Sequence, residues 1–410
     1  MTTITARCIE TGKPLRVRMA GTQLSEVTPT DVDSVDSLPW IAPGLFDIQL
    51  NGYRGRWFSS ETLTVDDVRE TLLDLAAQGI AECFPTLVTN SNEAIEHGMN
   101  TIRKACDADP VIQAMVPGIH LEGPWISPLD GPRGAHPLEH VRMPIRAEFE
   151  SWQRASGGRI RLVTLAPEVE GAVDAVAWLT REGIVVSIGH TAADAVAIQQ
   201  AVKAGAGLST HLGNGAAGLL PRHPNLLWEQ LAEDRLWASV ISDGHHLPQS
   251  TLLCMTRCKT LGRMIITCDV SGFGGCPPGE YREGGLAAEV LADGRIVSAG
   301  QRQYLAGSGA TTGECVIRFA QMCDVSLAEA WSLACQQPNR LFQRPAPALE
   351  ANQPATLTVF RLQTPAPDLP AIRFAGQSGS LHVSTAATFA PVATFVQGRQ
   401  TAGPSDVAGN

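Results

Sequence analysis

Four side chains in this sequence are of the types that hold cations and move protons: Glu122 in HLEGP, His190 in SIGH, His211 in STHL and Asp269 in ITCD. Each closes a short apolar run. Two imidazoles and a carboxylate supply the three protein ligands of an open catalytic metal site, which keeps one position free for chemistry. A further carboxylate is then needed, because something must take a proton from water and deliver it to a leaving group. Taken singly, His190 or His211 reads as an ordinary hydrogen-bonded histidine, and Asp269 as a cap for the turn at Ser271-Gly272. Their shared place at the ends of apolar runs is what favours a site. Asp243, His245 and His246 add a polar cluster at the end of another run, suited to substrate hydroxyls or to supporting the ligands from behind. His136, in GPRGAHP, is either an exposed loop histidine or a group that polarises a carbonyl.

The elements that must position these residues follow from periodicity. Eight runs rich in apolar and β-branched residues read as strands: 45–50, 80–88, 118–123, 160–166, 184–190, 208–212, 237–243 and 264–269. Helical stretches such as VDDVRETLLDLAAQG, NEAIEHGMNTIRKAC, AADAVAIQQAVKAG and SLAEAWSLACQQ alternate with or follow them, with apolar positions three and four apart. That alternation predicts an α/β fold, a (β/α)8 TIM barrel, whose catalytic groups project from the C-terminal strand ends. A doubly wound open sheet is the competing architecture, but no GxGxxG follows the first strand.

The two ends lack the helical period and carry short strand patterns split by Gly and Pro, among them LRVRM, ATLTVF and ATFVQG. Residues 1–42 and 348–410 are therefore expected to form one small β-sandwich domain, with 43–347 as the barrel. The balance of 31 basic and 41 acidic residues, a net charge of −10, argues against a nucleic-acid or anionic-membrane surface. With neither a signal-peptide pattern nor a long apolar segment, the expectation is a cytoplasmic enzyme without membrane partners. Ten scattered cysteines without CxxC spacing read as reduced thiols.

The first strand, LFDIQLNG, poses a separate question. Asp47 and Gln49 interrupt its apolar run, and Asn51 follows it. A buried amide left unpartnered costs about 1 to 3 kcal/mol, so Gln49 and Asn51 must have something to bind.

The motifs APGLFDIQLNG, FPTLVTN, HLEGPWISPLDGPRGAHP, TLAPE, SIGHTAADA, THLGN, ISDGHHL and LAGS, in this order, resemble the amidohydrolase superfamily and within it the N-acetylglucosamine-6-phosphate deacetylases. The resemblance implies a divalent metal, most often zinc, on Glu122, His190 and His211. It implies Asp269 as general base and then general acid, and His136 at the amide carbonyl. It places Ala135, Asn214, Gly215, His246 and the Leu305-Ala306-Gly307 segment around the substrate, an amino sugar. Arg222 matches an arginine that reaches phosphate across a homodimer interface. In many amidohydrolases the first strand ends in His-x-His and holds a second metal. Here the neutral amides of Gln49 and Asn51 stand in those places, and they are poor zinc ligands. One metal per subunit is therefore expected.

The implied reaction is hydrolysis of N-acetylglucosamine 6-phosphate to glucosamine 6-phosphate and acetate. The chain departs from the pattern at Gly213-Asn214-Gly215 and at Val270–Cys276. Those departures keep another N-acyl sugar, an N-acyl amino acid or a cyclic amide open as substrates. A non-catalytic sugar-binding module would not need Glu122, His190, His211 and Asp269 together.

Overall fold

The computed structural model describes residues 2–283, 286–366, 369–375 and 380–404. Eight parallel strands form its centre: Leu45–Leu50, Ile80–Val88, Ile119–Glu122, Ile160–Leu165, Val185–Ile188, Leu208–Ser209, Trp237–Ile241 and Met264–Thr267. They neighbour one another in chain order, and helices fill the connections. This is the TIM barrel. Parallel strands covered on both faces need near-continuous apolar runs, and Phe46, Ile48, Phe84, Leu162, Leu208, Trp237, Ile265 and Phe342 pack together as one buried cluster.

The ladder is incomplete at one place, between strands eight and one. Among the described residues Leu50 and Val270 form the one backbone bridge there, while Phe46 N donates to Ala334 O and Ile266 N to Leu333 O. Asp47 closes the gap. Its fully buried carboxylate accepts from Thr267 Oγ1 and Gln49 N on Oδ1, and from Thr312 Oγ1 and Cys268 N on Oδ2.

Helix boundaries follow local capping chemistry. Thr64 and Asp67 form a reciprocal capping box that starts the helix Val65–Ala77. Asp194 caps the helix Ala195–Ala204, so it begins three residues later than AADAVAIQQAVKAG implies. SLAEAWSLACQQ does not make one helix: Leu327–Ser332 ends, Leu333 and Ala334 plug the barrel seam, and Gln336–Leu341 follows.

Strands from both chain ends join in one seven-stranded sheet, in the order Arg399–Ala402, Thr388–Val396, Leu357–Gln363, Trp40–Pro43, Thr2–Cys8, Pro14–Ala20, Gln23–Pro29. A hairpin of Ile372–Ala375 and Ser380–Val383 accompanies it. The sheet has its own apolar cluster, including Ile4, Val17, Leu24, Ile41, Leu357 and Phe395. Residues 405–410, part of the expected terminal domain, lie outside the described residues.

Sequence periodicity did not anticipate a four-stranded antiparallel meander, Gly279–Glu283, Leu286–Val290, Ile296–Ser298 and Gln301–Leu305, inserted after strand eight. It packs on Trp57 and Phe273 through Ala288, Val290, Ile296 and Ala306. Among the described residues no helix is long and apolar enough to cross a membrane.

Candidate active site

At the C-terminal rim of the barrel, Glu122 ends strand three, while His190 and His211 follow strands five and six. His190 Nε2 and His211 Nε2 lie 3.2 and 3.1 Å from the same oxygen, Glu122 Oε1, and 3.1 Å from each other. All three side chains are buried. His190 Nδ1 is 2.9 Å from the carbonyl of Pro132, which only accepts, so the ring proton sits there and Nε2 presents a lone pair. His211 Nδ1 has no partner among the described residues.

Electron pairs facing one another at this distance repel unless a cation or proton lies among them. A tetrahedral site with bonds of about 2.0 to 2.2 Å separates its ligand atoms by about 3.3 to 3.6 Å, a few tenths of an ångström wider than this triangle. The three side chains therefore fit a divalent cation. A looser grouping of Glu122, His136 and His190, with ligand atoms within 4.8 Å of one another, overlaps this triangle. The tighter one is the better donor set, because His136 already engages a hydroxyl through Nδ1.

The backbone at the rim is under strain at the residues that matter. His190, His211 and Asp269 have φ of 50°, 30° and 51°, a left-handed conformation that costs side-chain-bearing residues about 1 to 3 kcal/mol each. Such strain persists where surrounding contacts over-determine it, and it turns the three side chains toward one point. Glycine serves the same crowding: a Cβ on Gly215 would lie 3.0 Å from His190 Nδ1 and 3.2 Å from His211 Cε1.

Gln49 and Asn51 find their partners here. The register between strands one and two slips between Asp47 and Leu50, and Gln49 Nε2 donates to Glu122 Oε1 at 2.8 Å. Asn51 Nδ2 donates to Asp269 Oδ1 at 2.8 Å. Each amide thus serves one of the two carboxylates.

Electrostatics divide those carboxylates by role. Burial pushes Glu122 up, but the imidazoles of His190 and His211 crowded against it outweigh that, so the group is held well below the usual carboxylate range. Asp269 goes the other way: burial, then the charge of Glu122, push it up to about 7. One carboxylate stays ionised as a ligand, and the other is poised to exchange protons near neutrality. Burial keeps His136 neutral, lowered to about 3. Asp243 is pushed up by burial, but hydrogen bonding to His246 Nδ1 at 2.7 Å leaves it below its ordinary value.

The remaining candidates are spread out. His136 is buried, its ring centroid 4.3 Å from that of His190, whereas neighbouring Ala135 is exposed. Asn214 donates to the His211 carbonyl at 3.2 Å, and His246 rests on Asp243. Leu305 ends the meander and Ala306 packs beneath it. Gly307 lies against the backbone of Asp269 and Ser271, where Ser308 N donates to Asp269 O at 2.9 Å. Arg222 lies on an exposed segment, three residues after Leu219, which is 93% exposed. His245 is also exposed.

Residues given no role from the sequence form a hydrogen-bonded chain among the barrel strands. His120 Nε2 meets Thr164 Oγ1 at 2.8 Å, Thr164 meets Thr210 at 2.7 Å, and Ser187 meets Thr210 at 2.5 Å. Their signal in the sequence was polar residues inside otherwise apolar strands. Two shallow hollows, of about 420 and 500 Å³, lie on outer helices at Glu150–Arg154 and Glu93–His97, and no rim residue lines them.

A parallel barrel carrying a Glu, two His and a free Asp on its rim defines a metal-dependent hydrolase, and residues 40–400 match the amidohydrolase family. The chain belongs to that family, whose members here hydrolyse amide C–N bonds. It is 30% identical to the N-acetylgalactosamine-6-phosphate deacetylase of Escherichia coli O157:H7, over 80% of this chain and 84% of that one. It is 33% identical to the human N-acetylglucosamine-6-phosphate deacetylase, over 73% and 74%. The crystal structure of N-acetyl-D-glucosamine-6-phosphate deacetylase from Mycobacterium smegmatis superposes with a TM-score of 0.81 at 26% identity, over 98% of this chain and all of that one.

Proposed function

We propose that this protein hydrolyses the N-acetyl amide of N-acetylglucosamine 6-phosphate, releasing acetate and glucosamine 6-phosphate. The observation that carries the reading is the pairing of a three-atom ligand triangle with a separate carboxylate raised toward neutrality, in a chain related to sugar-phosphate deacetylases. Glu122, His190 and His211 would hold one divalent ion, zinc by their N/O donor set, which when bound would acidify water and polarise the amide carbonyl. Asp269 takes the proton of the attacking water and passes it to the departing amine. His136, neutral and buried, donates to the carbonyl oxygen as it gains charge. His246, held by Asp243, meets the sugar, and Ala135, Asn214, Gly215 and the 305–307 segment line its place.

Arg222 pairs with the phosphate, in a homodimer, from the partner subunit. Its exposure and that of Leu219 in the same segment support a covering surface there. We assign residues 1–42 with 348–410 to the small domain and 43–347 to the barrel, in keeping with the mixed parentage of the seven-stranded sheet. The cytoplasm is the compartment that suits a sugar-phosphate substrate.

The E. coli relative favours a second reading, the 4-epimer N-acetylgalactosamine 6-phosphate. Comparing kcat/KM for the two sugar phosphates and their unphosphorylated forms separates these readings. Equal rates on phosphorylated and free sugars, or an equal loss on both in Arg222→Ala, would remove the phosphate from the account.

A further inference from the structure

Thr89 immediately follows strand two and is 1% exposed. Its Oγ1 lies 2.8 Å from His136 Nδ1, the one side-chain partner it has among the described residues. The space it occupies is reserved: a Cβ on Gly123 would fall 2.1 Å from that oxygen. Two proton arrangements are available. If Nδ1 carried the ring proton, Thr89 would accept it, and its own buried hydroxyl hydrogen would find no acceptor. If Nδ1 is bare, the hydroxyl hydrogen is used and the ring proton resides on Nε2. Leaving a buried donor unmade is the costlier choice, so the second arrangement prevails.

We propose that Thr89 is a positioning residue that fixes His136 in the Nε2–H tautomer, so that the ring offers the substrate carbonyl a hydrogen rather than a lone pair. This rests on the reading of His136 given above. In the opposite tautomer the same ring would face a developing oxyanion with an electron pair.

The test compares metal-loaded wild type with Thr89→Val, Thr89→Ser, His136→Gln and the Thr89→Val/His136→Gln double variant. Thr89→Val should lower kcat roughly tenfold or more, short of the roughly 10²- to 10³-fold loss expected when an oxyanion donor is removed outright. KM and metal content should stay near wild type, and Thr89→Ser should restore most of the rate. The double variant should be no slower than His136→Gln alone. With ¹⁵N-labelled histidine, the His136 resonances should report a protonated Nε2 in wild type and Thr89→Ser and a mixture in Thr89→Val. Full activity in Thr89→Val alongside a large loss in His136→Gln would overturn the proposal, as would losses that multiply in the double variant. If His136→Gln itself kept full activity, the role of His136 would fall instead.

Discussion

Asn51 Nδ2 donates to Asp269 Oδ1 at 2.8 Å, and that contact spans the seam where the first and last strands of the barrel meet. Its consequence is electrostatic. A donor to the ionised carboxylate favours that form, so Asn51 pulls Asp269 down against burial and the charge of Glu122. Hydrogen bonds to charged groups are worth about 1.5 to 3 kcal/mol. At 1.36 kcal/mol per pKa unit, Asn51→Leu should move the acid limb of kcat/KM upward by about 1 to 2 pH units, because Asp269 acts ionised. A pH profile measured at saturating metal checks this; an unmoved limb would detach Asn51 from the proton chemistry.

The same group makes a stability prediction free of any substrate. In the metal-free chain Asp269 is raised to about 7, above its unfolded value near 3.9. A carboxyl raised on folding favours the fold while it is protonated. Its contribution is fully present below about pH 4 and is lost as pH rises through about 7. Asp269→Asn, which cannot ionise, should therefore raise the thermal midpoint of metal-free protein at pH 8 and change it little at pH 4. Thermal melts in chelator at the two pH values decide it, and a variant less stable at pH 8 would contradict the sign.

Asp47 is expected to act on the fold rather than on the rate. Its two oxygens take backbone N–H groups from Gln49 at 3.0 Å and Cys268 at 2.9 Å, as well as two threonine hydroxyls. In Asp47→Asn the amide must turn its NH2 toward one of those backbone donors, whichever way it is flipped. One buried N–H is then left unpaired, at a cost of about 1 to 3 kcal/mol. Denaturant unfolding should show the midpoint falling accordingly, and an unchanged midpoint would mean the seam is held by Leu333 and Ala334 alone.

Much of the barrel was legible because parallel strands buried on both faces write themselves as continuous apolar runs, so Glu122, His190, His211 and Asp269 stood out as polar residues ending those runs. The positive φ of the last three was not legible, since backbone strain leaves no mark in residue type. Thr89 carries no mark in FPTLVTN: a buried threonine at a strand end is ordinary, and its meaning comes from a loop 47 residues away. The 279–305 meander escaped because its strands are short, polar on one face and adjacent, giving no period long enough to recognise. The single long helix expected at 326–337 broke because the chain must deliver two carbonyls to the barrel seam, a tertiary demand that helical propensity does not record.

We propose that the enzyme works with one metal ion, with Gln49 bonded to Glu122 and Asn51 bonded to Asp269 where a second would sit. The most direct test titrates metal-free protein with zinc while following acetate release from N-acetylglucosamine 6-phosphate. No release is expected without metal, and the rate should climb linearly and saturate at one equivalent per chain. Saturation only at two equivalents, or no acetate at any loading, would contradict it.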